Sequence, residues 1–387
     1  MLKFMFATGI ENSYPTIALA DGTKKRVDQM EKAQHYDRWR DDFKLVKQLG
    51  IEYLRYGPPY YRVHLGTDHY DWAFADETFK ALQDAGIKPI ADLCHFGVPD
   101  WMGDFQNPEF PAKFADYARA FAKRFPWVEF YTPVNQILST AINSALDGLW
   151  NECLSHDQGF ATALKHLCQA SVMSMLAILE VQPKAIFIPS ETARYFHPYD
   201  PSCETEAGFL NDRRFLSLDL IYGQPLNTVM YDYLLSNGWT RDEYLWFMGH
   251  RLKEHGVLGL DYYYTNEQLI HPDGNSTFIL QPLGYYVLAK QFYARYRLPV
   301  MNTETNMDID LGVDWLRKVW ASMLHLKSDG IPTVGFTWHS LIDQVDWDVR
   351  LAEDNDQVNR LGLCSMEREI NHVGEEFRRI INQWRDV

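Results

Sequence analysis

What most constrains this chain is a recurrence. Eight times, a short apolar run is followed by a segment with helical periodicity. The runs are residues 4–8, 51–56, 87–93, 128–134, 185–189, 257–263, 299–303 and 333–338. Helical patterns cover 36–49, 76–85, 111–124, 159–181, 224–237, 283–296, 313–328 and 368–384. In the first of these, Trp39, Phe43, Val46 and Leu49 share one face while Arg38, Asp41 and Lys44 lie off it. Strands that are apolar throughout are buried on both faces, which is the condition of a parallel sheet covered by helices. Eight such pairs predict an α/β chain folded as a (β/α)₈ TIM barrel. We expect a single domain over 1–387, with its main insertion near 192–240. A doubly wound open sheet would need a Gly-rich turn after the first strand, and Gly9-Ile-Glu-Asn-Ser-Tyr-Pro15 is not one.

Charge narrows the partners. Lys and Arg number 37 against 52 Asp and Glu, a net −15, so nucleic acid and anionic membranes are disfavoured. No apolar run approaches the length of a membrane span, and the first residues do not read as a signal peptide. The five cysteines (Cys94, Cys153, Cys168, Cys203 and Cys364) form no Cys-x-x-Cys pair. Neither a zinc ribbon nor a disulfide framework is expected, and a reducing cytoplasm is the expected location. There is no His-x-His after the first strand and no His-Glu-x-x-His, so no metal or cofactor is expected. Oligomeric state is not legible.

In a barrel of this kind the functional side chains emerge where strands end, on one face. Those positions carry Glu11, Asn12, Arg55, His95, Asn135, Gln136, Glu191, Tyr263, Glu304 and the stretch from Trp338 and His339 to Asp346 and Trp347. Carboxylates, amides, imidazoles and aromatic rings converging on one mouth suit a small polyhydroxylated ligand, a carbohydrate or glycoside. Each residue also has a plain alternative. Arg55 could bridge barrel carboxylates, His95 could be a satisfied core histidine, and Glu191 could be an ion-pair partner. Glu304 is hardest to explain structurally, because a carboxylate ending an apolar strand is costly unless paired or used.

Several segments carry a resemblance. His35-Tyr-Asp-Arg-Trp to Arg55, Gly86-Ile-Lys-Pro to His95 and Trp101, Gly259-Leu-Asp-Tyr-Tyr263, Asn302-Thr-Glu304-Thr-Asn306 and Gly335-Phe-Thr-Trp-His to Asp346-Trp347 occur in the order of the family-1 glycoside hydrolases. The chain resembles these retaining β-glycosidases over nearly its whole length. The resemblance implies that Glu304 is the nucleophile, with Arg55 and Tyr263 holding it ionised. It also implies that Glu11 or Asn12, His95, Asn135, Asp346 and Trp347 contact sugar hydroxyls. Thr132-Pro-Val-Asn135-Gln136-Ile137 departs from the pattern: glutamine stands in the slot of the acid/base glutamate, and Ile137 replaces the proline after it. Asp261, Phe96 and His339 also replace an asparagine and two tryptophans.

Gln136 can neither give nor take a proton in the way a carboxyl does. The expected substrate is therefore a β-glycoside with an activated or unusual aglycone, as in the plant thioglucosidases that also carry Asn-Gln here, or a transglycosylation acceptor. Glu191 is the candidate for a relocated acid. A catalytically silent carbohydrate-binding barrel is the rival reading. The acidic loop 348–356 disfavours a phosphorylated glycon.

Overall fold

The computed structural model describes residues 3–385. Eight parallel strands form the central sheet: β1 (Met5–Gly9), β2 (Tyr53–Arg55), β3 (Lys88–Asp92), β4 (Phe130–Thr132), β5 (in two pieces, Ile186–Phe187 and Ser190–Thr192), β6 (Leu258–Asp261), β7 (Val300–Glu304) and β8 (Thr333–Trp338). Each pairs with its sequence neighbour, and β8 pairs with β1. The first piece of β5 bonds to β4 and the second to β6, which closes the ring. The break at Ile188-Pro189 has a local cause, since Pro189 has no N–H to give the ladder. Its carbonyl still accepts from Gly259 N at 3.1 Å. The (β/α)₈ expectation holds.

Helices cover the outside. The first, His35–Gln48, buries Trp39, Phe43 and Val46 as the spacing predicts. Asp157–Leu179 is the longest of them, and it packs against Phe110–Arg124. The helical expectation at 224–237 shortens to Thr228–Ser236, capped by Asn227, whose side chain accepts from Met230 N. The segment 192–240 carries the strand Tyr195–Pro198 and the helices Glu204–Arg213 and Leu216–Ile221 as well. Tyr195–Pro198 joins Glu267–Ile270 and Ser276–Phe278 in a separate three-stranded sheet.

Inside the barrel, side chains alternate with period two, so residues i and i+2 stack in successive layers. Met5, Tyr53, Ile90, Phe130, Ile188, Val257, Met301 and Val334 make an apolar floor. Two residues further along their strands, Tyr53 gives way to Arg55, Ile90 to Asp92, Phe130 to Thr132, Ile188 to Ser190 and Met301 to Thr303, all buried. The polar layer is thus a consequence of strand register, and it rests on a packed base. Phe130→Ala would open that base under the site, and we expect a loss of about 3–5 kcal/mol in denaturant unfolding. A loss below about 1 kcal/mol would show that the floor is not close-packed.

Candidate active site

Glu304 ends β7 and is 3% exposed. Arg55, at the end of β2, donates one Nη to Glu304 Oε1 and the other to Asn135 Oδ1 (2.8 Å) and Asp92 Oδ2 (3.2 Å). Tyr263 Oη donates to Glu304 Oε2 at 2.6 Å. Burial alone would raise the Glu304 pKa. The Arg55 charge, reinforced by the Tyr263 hydrogen bond, outweighs it and holds the carboxyl below its usual range. An ionised carboxylate held in this way is a competent nucleophile.

Gln136 follows β4 and precedes the helix Ile137–Ala145, which the sequence reading missed. Its φ is 41°, in the left-handed region that a non-glycine residue enters only when its surroundings impose it. The side chain is oriented at both ends. Its Oε1 accepts from Thr192 Oγ1 (3.1 Å), and its Nε2 donates to Glu304 Oε2 (3.1 Å) and Asp261 Oδ2 (2.8 Å).

His95 and Asn135 complete a second chain. Because Arg55 orients the Asn135 amide, Nδ2 faces His95 Nε2 at 3.0 Å. The imidazole therefore accepts there and carries its proton on Nδ1, toward Asp92 Oδ2 at 2.8 Å. His339 lies over Gly9. A β-carbon on Gly9 would sit 2.3 Å from the ring, so only glycine leaves room for it. His339 Nδ1, Asn12 Nδ2 and Trp347 Nε1 are buried with no hydrogen-bond partner among the described residues, and a hydroxylated ligand would satisfy such groups. Phe96 and Trp347 also face an apolar cap built from Ile17, Val27, Trp150 and Leu351.

Other expected residues are otherwise engaged. Glu11 accepts from Ser13 and, at 2.8 Å, from Gln344. Asp346 is fully buried, with Oδ2 bound by Lys32 (2.6 Å) and Oδ1 by Gln357 N (2.9 Å). The Lys32 ammonium also binds Asp354 and Asp356, and so knits the acidic loop shut. Trp338 spends its Nε1 on Leu361 O (2.9 Å). It lies next to Thr337 and His339, and alternation carries it to the face opposite theirs.

Glu191 does not join Glu304. In β5 Ser190 and Thr192 face inward, to Asp261 and Gln136, so Glu191 between them faces outward. There its Oε1 accepts from Leu138 N at the start of the next helix (3.2 Å). The carboxyl that sequence reasoning passed over is Asp261, fully buried and bound by Ser190 (2.7 Å), Thr303 (2.7 Å) and Gln136. Its signal was available, as the substitution in Gly259-Leu-Asp-Tyr-Tyr263. Asp92 was legible as a carboxylate inside an apolar run. Lys32 had none.

The segment 17–220, about half the chain, matches the profile of Glycosyl hydrolase family 1. The chain belongs to that family. Among its relatives, the 6-phospho-beta-glucosidase AscB of Escherichia coli is 22% identical over 88% of this chain and 80% of its own. Beta-glucosidase A of Thermotoga maritima is 22% identical over 86% and 83%. A solved structure of the Thermotoga maritima beta-glucosidase with a substituted glucoimidazole superposes with a TM-score of 0.81 at 18% identity, covering 98% of this chain and 97% of that one.

Glu191 offers a clean test of its outward placement. Burial pushes its pKa up to about 7, only partly offset by the Leu138 N–H and the Arg194 charge. A raised carboxyl pKa favours the fold at low pH, and that advantage is lost as pH rises through about 7. Glu191→Gln should therefore stabilise more at pH 8 than at pH 5, by about 1–3 kcal/mol in urea unfolding. An equal effect at both pH values would contradict this placement.

Proposed function

We propose that the protein is a β-glycosidase of retaining type in which Glu304 attacks the anomeric carbon of a β-glycoside and forms a covalent glycosyl-enzyme. The observation that carries this reading is the grip on Glu304. A guanidinium and a phenol hold one carboxylate ionised at the mouth of a barrel, with a side chain opposite it at hydrogen-bond distance. Membership in glycosyl hydrolase family 1 supports an enzyme of glycoside-hydrolase type, and the relatives named as β-glucosidases support a sugar in this mouth.

Gln136 stands where the resemblance places the acid/base. An amide contributes none of the 10²–10⁴-fold that general acid–base help typically supplies. Taken alone, it suits an aglycone that departs unprotonated, or a sugar acceptor in place of water. Sugar hydroxyls meet His95, Asn135, Asn12, His339 and Trp347 in this reading, which the unpartnered buried atoms of Asn12, His339 and Trp347 support. A phosphorylated glycon gains nothing from Lys32, whose charge three aspartates already answer.

The test is a panel of 2,4-dinitrophenyl β-glycosides, in gluco, galacto, manno and xylo series, with their 2-deoxy-2-fluoro counterparts. We expect a burst of dinitrophenolate with at least one glycon and a covalent adduct on Glu304 by peptide mass spectrometry. Glu304→Gln should abolish both, lowering turnover by at least about 10³-fold. Sugar binding without any burst or adduct would overturn the enzymatic reading and favour a silent carbohydrate-binding barrel.

A further inference from the structure

We infer that Asp261 is the second catalytic carboxyl of this site, the acid and the amide having changed places between residues 136 and 261. The inference rests on Glu304 as nucleophile and alters only where the proton comes from.

Gln136 Nε2 lies 2.8 Å from Asp261 Oδ2 and 3.1 Å from Glu304 Oε2, so the two oxygens are within 5.9 Å of each other. With the roughly 120° fork of an amide NH₂, that separation becomes roughly 5 Å, the spacing that retaining glycosidases use. The nitrogen between them marks a point in hydrogen-bond contact with both carboxyls. A glycosidic oxygen, or the water that later replaces it, needs the same two neighbours. Glu191, facing outward, offers no such geometry.

Orientation comes next. Thr303 Oγ1 contacts Asp261 Oδ1 at 2.7 Å, and Ser190 Oγ bridges both oxygens (2.7 Å to Oδ1, 2.8 Å to Oδ2), which fixes the carboxyl with Oδ2 beside the gap. The ionisable groups around Asp261 are Glu304 on β7, Arg55 on β2, Tyr263 after β6 and Tyr285 on the helix Gly284–Tyr296. Only Arg55 among these is a cation, and its guanidinium hydrogen-bonds Glu304 directly. Arg55 is shared between Glu304 and Asp92 and makes no ion pair with Asp261 among the described residues, which leaves Asp261 without a cation of its own and able to hold a proton. Burial first, and the Glu304 charge second, raise the Asp261 pKa well above the ordinary aspartate range, with Arg55, Thr303 and Ser190 only partly opposing them. A neutral carboxylic acid beside an ionised nucleophile is the division of labour the reaction needs.

The chemistry balances when the Gln136 side chain swings out of the gap as the glycosidic oxygen enters. Glu304 Oε2 bonds to the anomeric carbon while the bond from that carbon to the aglycone oxygen breaks. The bonding pair leaves with that oxygen, which takes the Asp261 proton. In the second step water gives a proton to the Asp261 carboxylate and bonds to the anomeric carbon, and the ester pair returns to Glu304. The substrate range then extends from activated to ordinary aryl and alkyl aglycones.

Asp261→Asn, nearly isosteric, tests this with the glycon that labels Glu304. We expect kcat/KM on the phenyl glycoside to fall 10²–10⁴-fold, while kcat/KM on the dinitrophenyl glycoside changes less than about tenfold. Azide should accelerate dinitrophenyl turnover by the variant, though not by the wild type, and yield the β-glycosyl azide. The wild type should lose phenyl glycosidase activity as pH rises above the Asp261 pKa, a limb absent from the variant. The double exchange Gln136→Glu with Asp261→Asn should recover activity on the phenyl substrate. Labelling of Glu304 in the single variant confirms that it is folded. Equal losses on both substrates, or no loss, with Glu304 still labelled would overturn the role of Asp261 and leave the nucleophile standing. No labelling of Glu304 in the wild type would overturn both.

Discussion

Everything in the mouth of this barrel depends on one buried cation. Arg55, 1% exposed, reaches Glu304, Asp92, Asn135 and the Thr303 carbonyl from a single guanidinium. A buried ion pair rarely improves stability over an apolar replacement, so its value here lies in the charge state it imposes. It makes ionisation of Glu304 affordable inside the fold, and by orienting Asn135 it sets the tautomer of His95. Its planar fork is what allows four acceptors to be held at once, and a lysine could not do this.

The fold was legible because it is written in repetition. Eight apolar runs with intervening amphipathic segments predict the parallel ring, and strand ends predict where polar chemistry emerges. What escaped were features set by local backbone chemistry rather than by pattern. Pro189 interrupts β5, and the nine-residue helix Ile137–Ala145 is buried on every side, so its Ser139, Thr140, Asn143 and Ser144 mark no solvent face.

The site was legible in part, and its misses share one cause. Glu191 and Asp261 both close apolar strands, and composition does not distinguish them. A strand's side chains alternate between faces, so register decides which carboxyl looks into the barrel, and a shift of one residue exchanges them. Asp346 and Glu11 reach the mouth but are spent on Lys32, Gln357, Ser13 and Gln344. Lys32 comes from a four-residue helix remote in sequence, which no motif flags. Resemblance supplied the family, and only coordinates supplied the partners of each group.

The chemistry of this mouth therefore comes down to how two neighbouring carboxyls share a proton. A ¹³C NMR titration of side-chain carboxyls, assigned with Glu304→Gln and Asp261→Asn, reads that directly. We expect Glu304 to be ionised throughout the neutral range and Asp261 to be protonated there, releasing its proton only on the alkaline side. A protonated Glu304 at pH 7, or an Asp261 already ionised at pH 5, would contradict it.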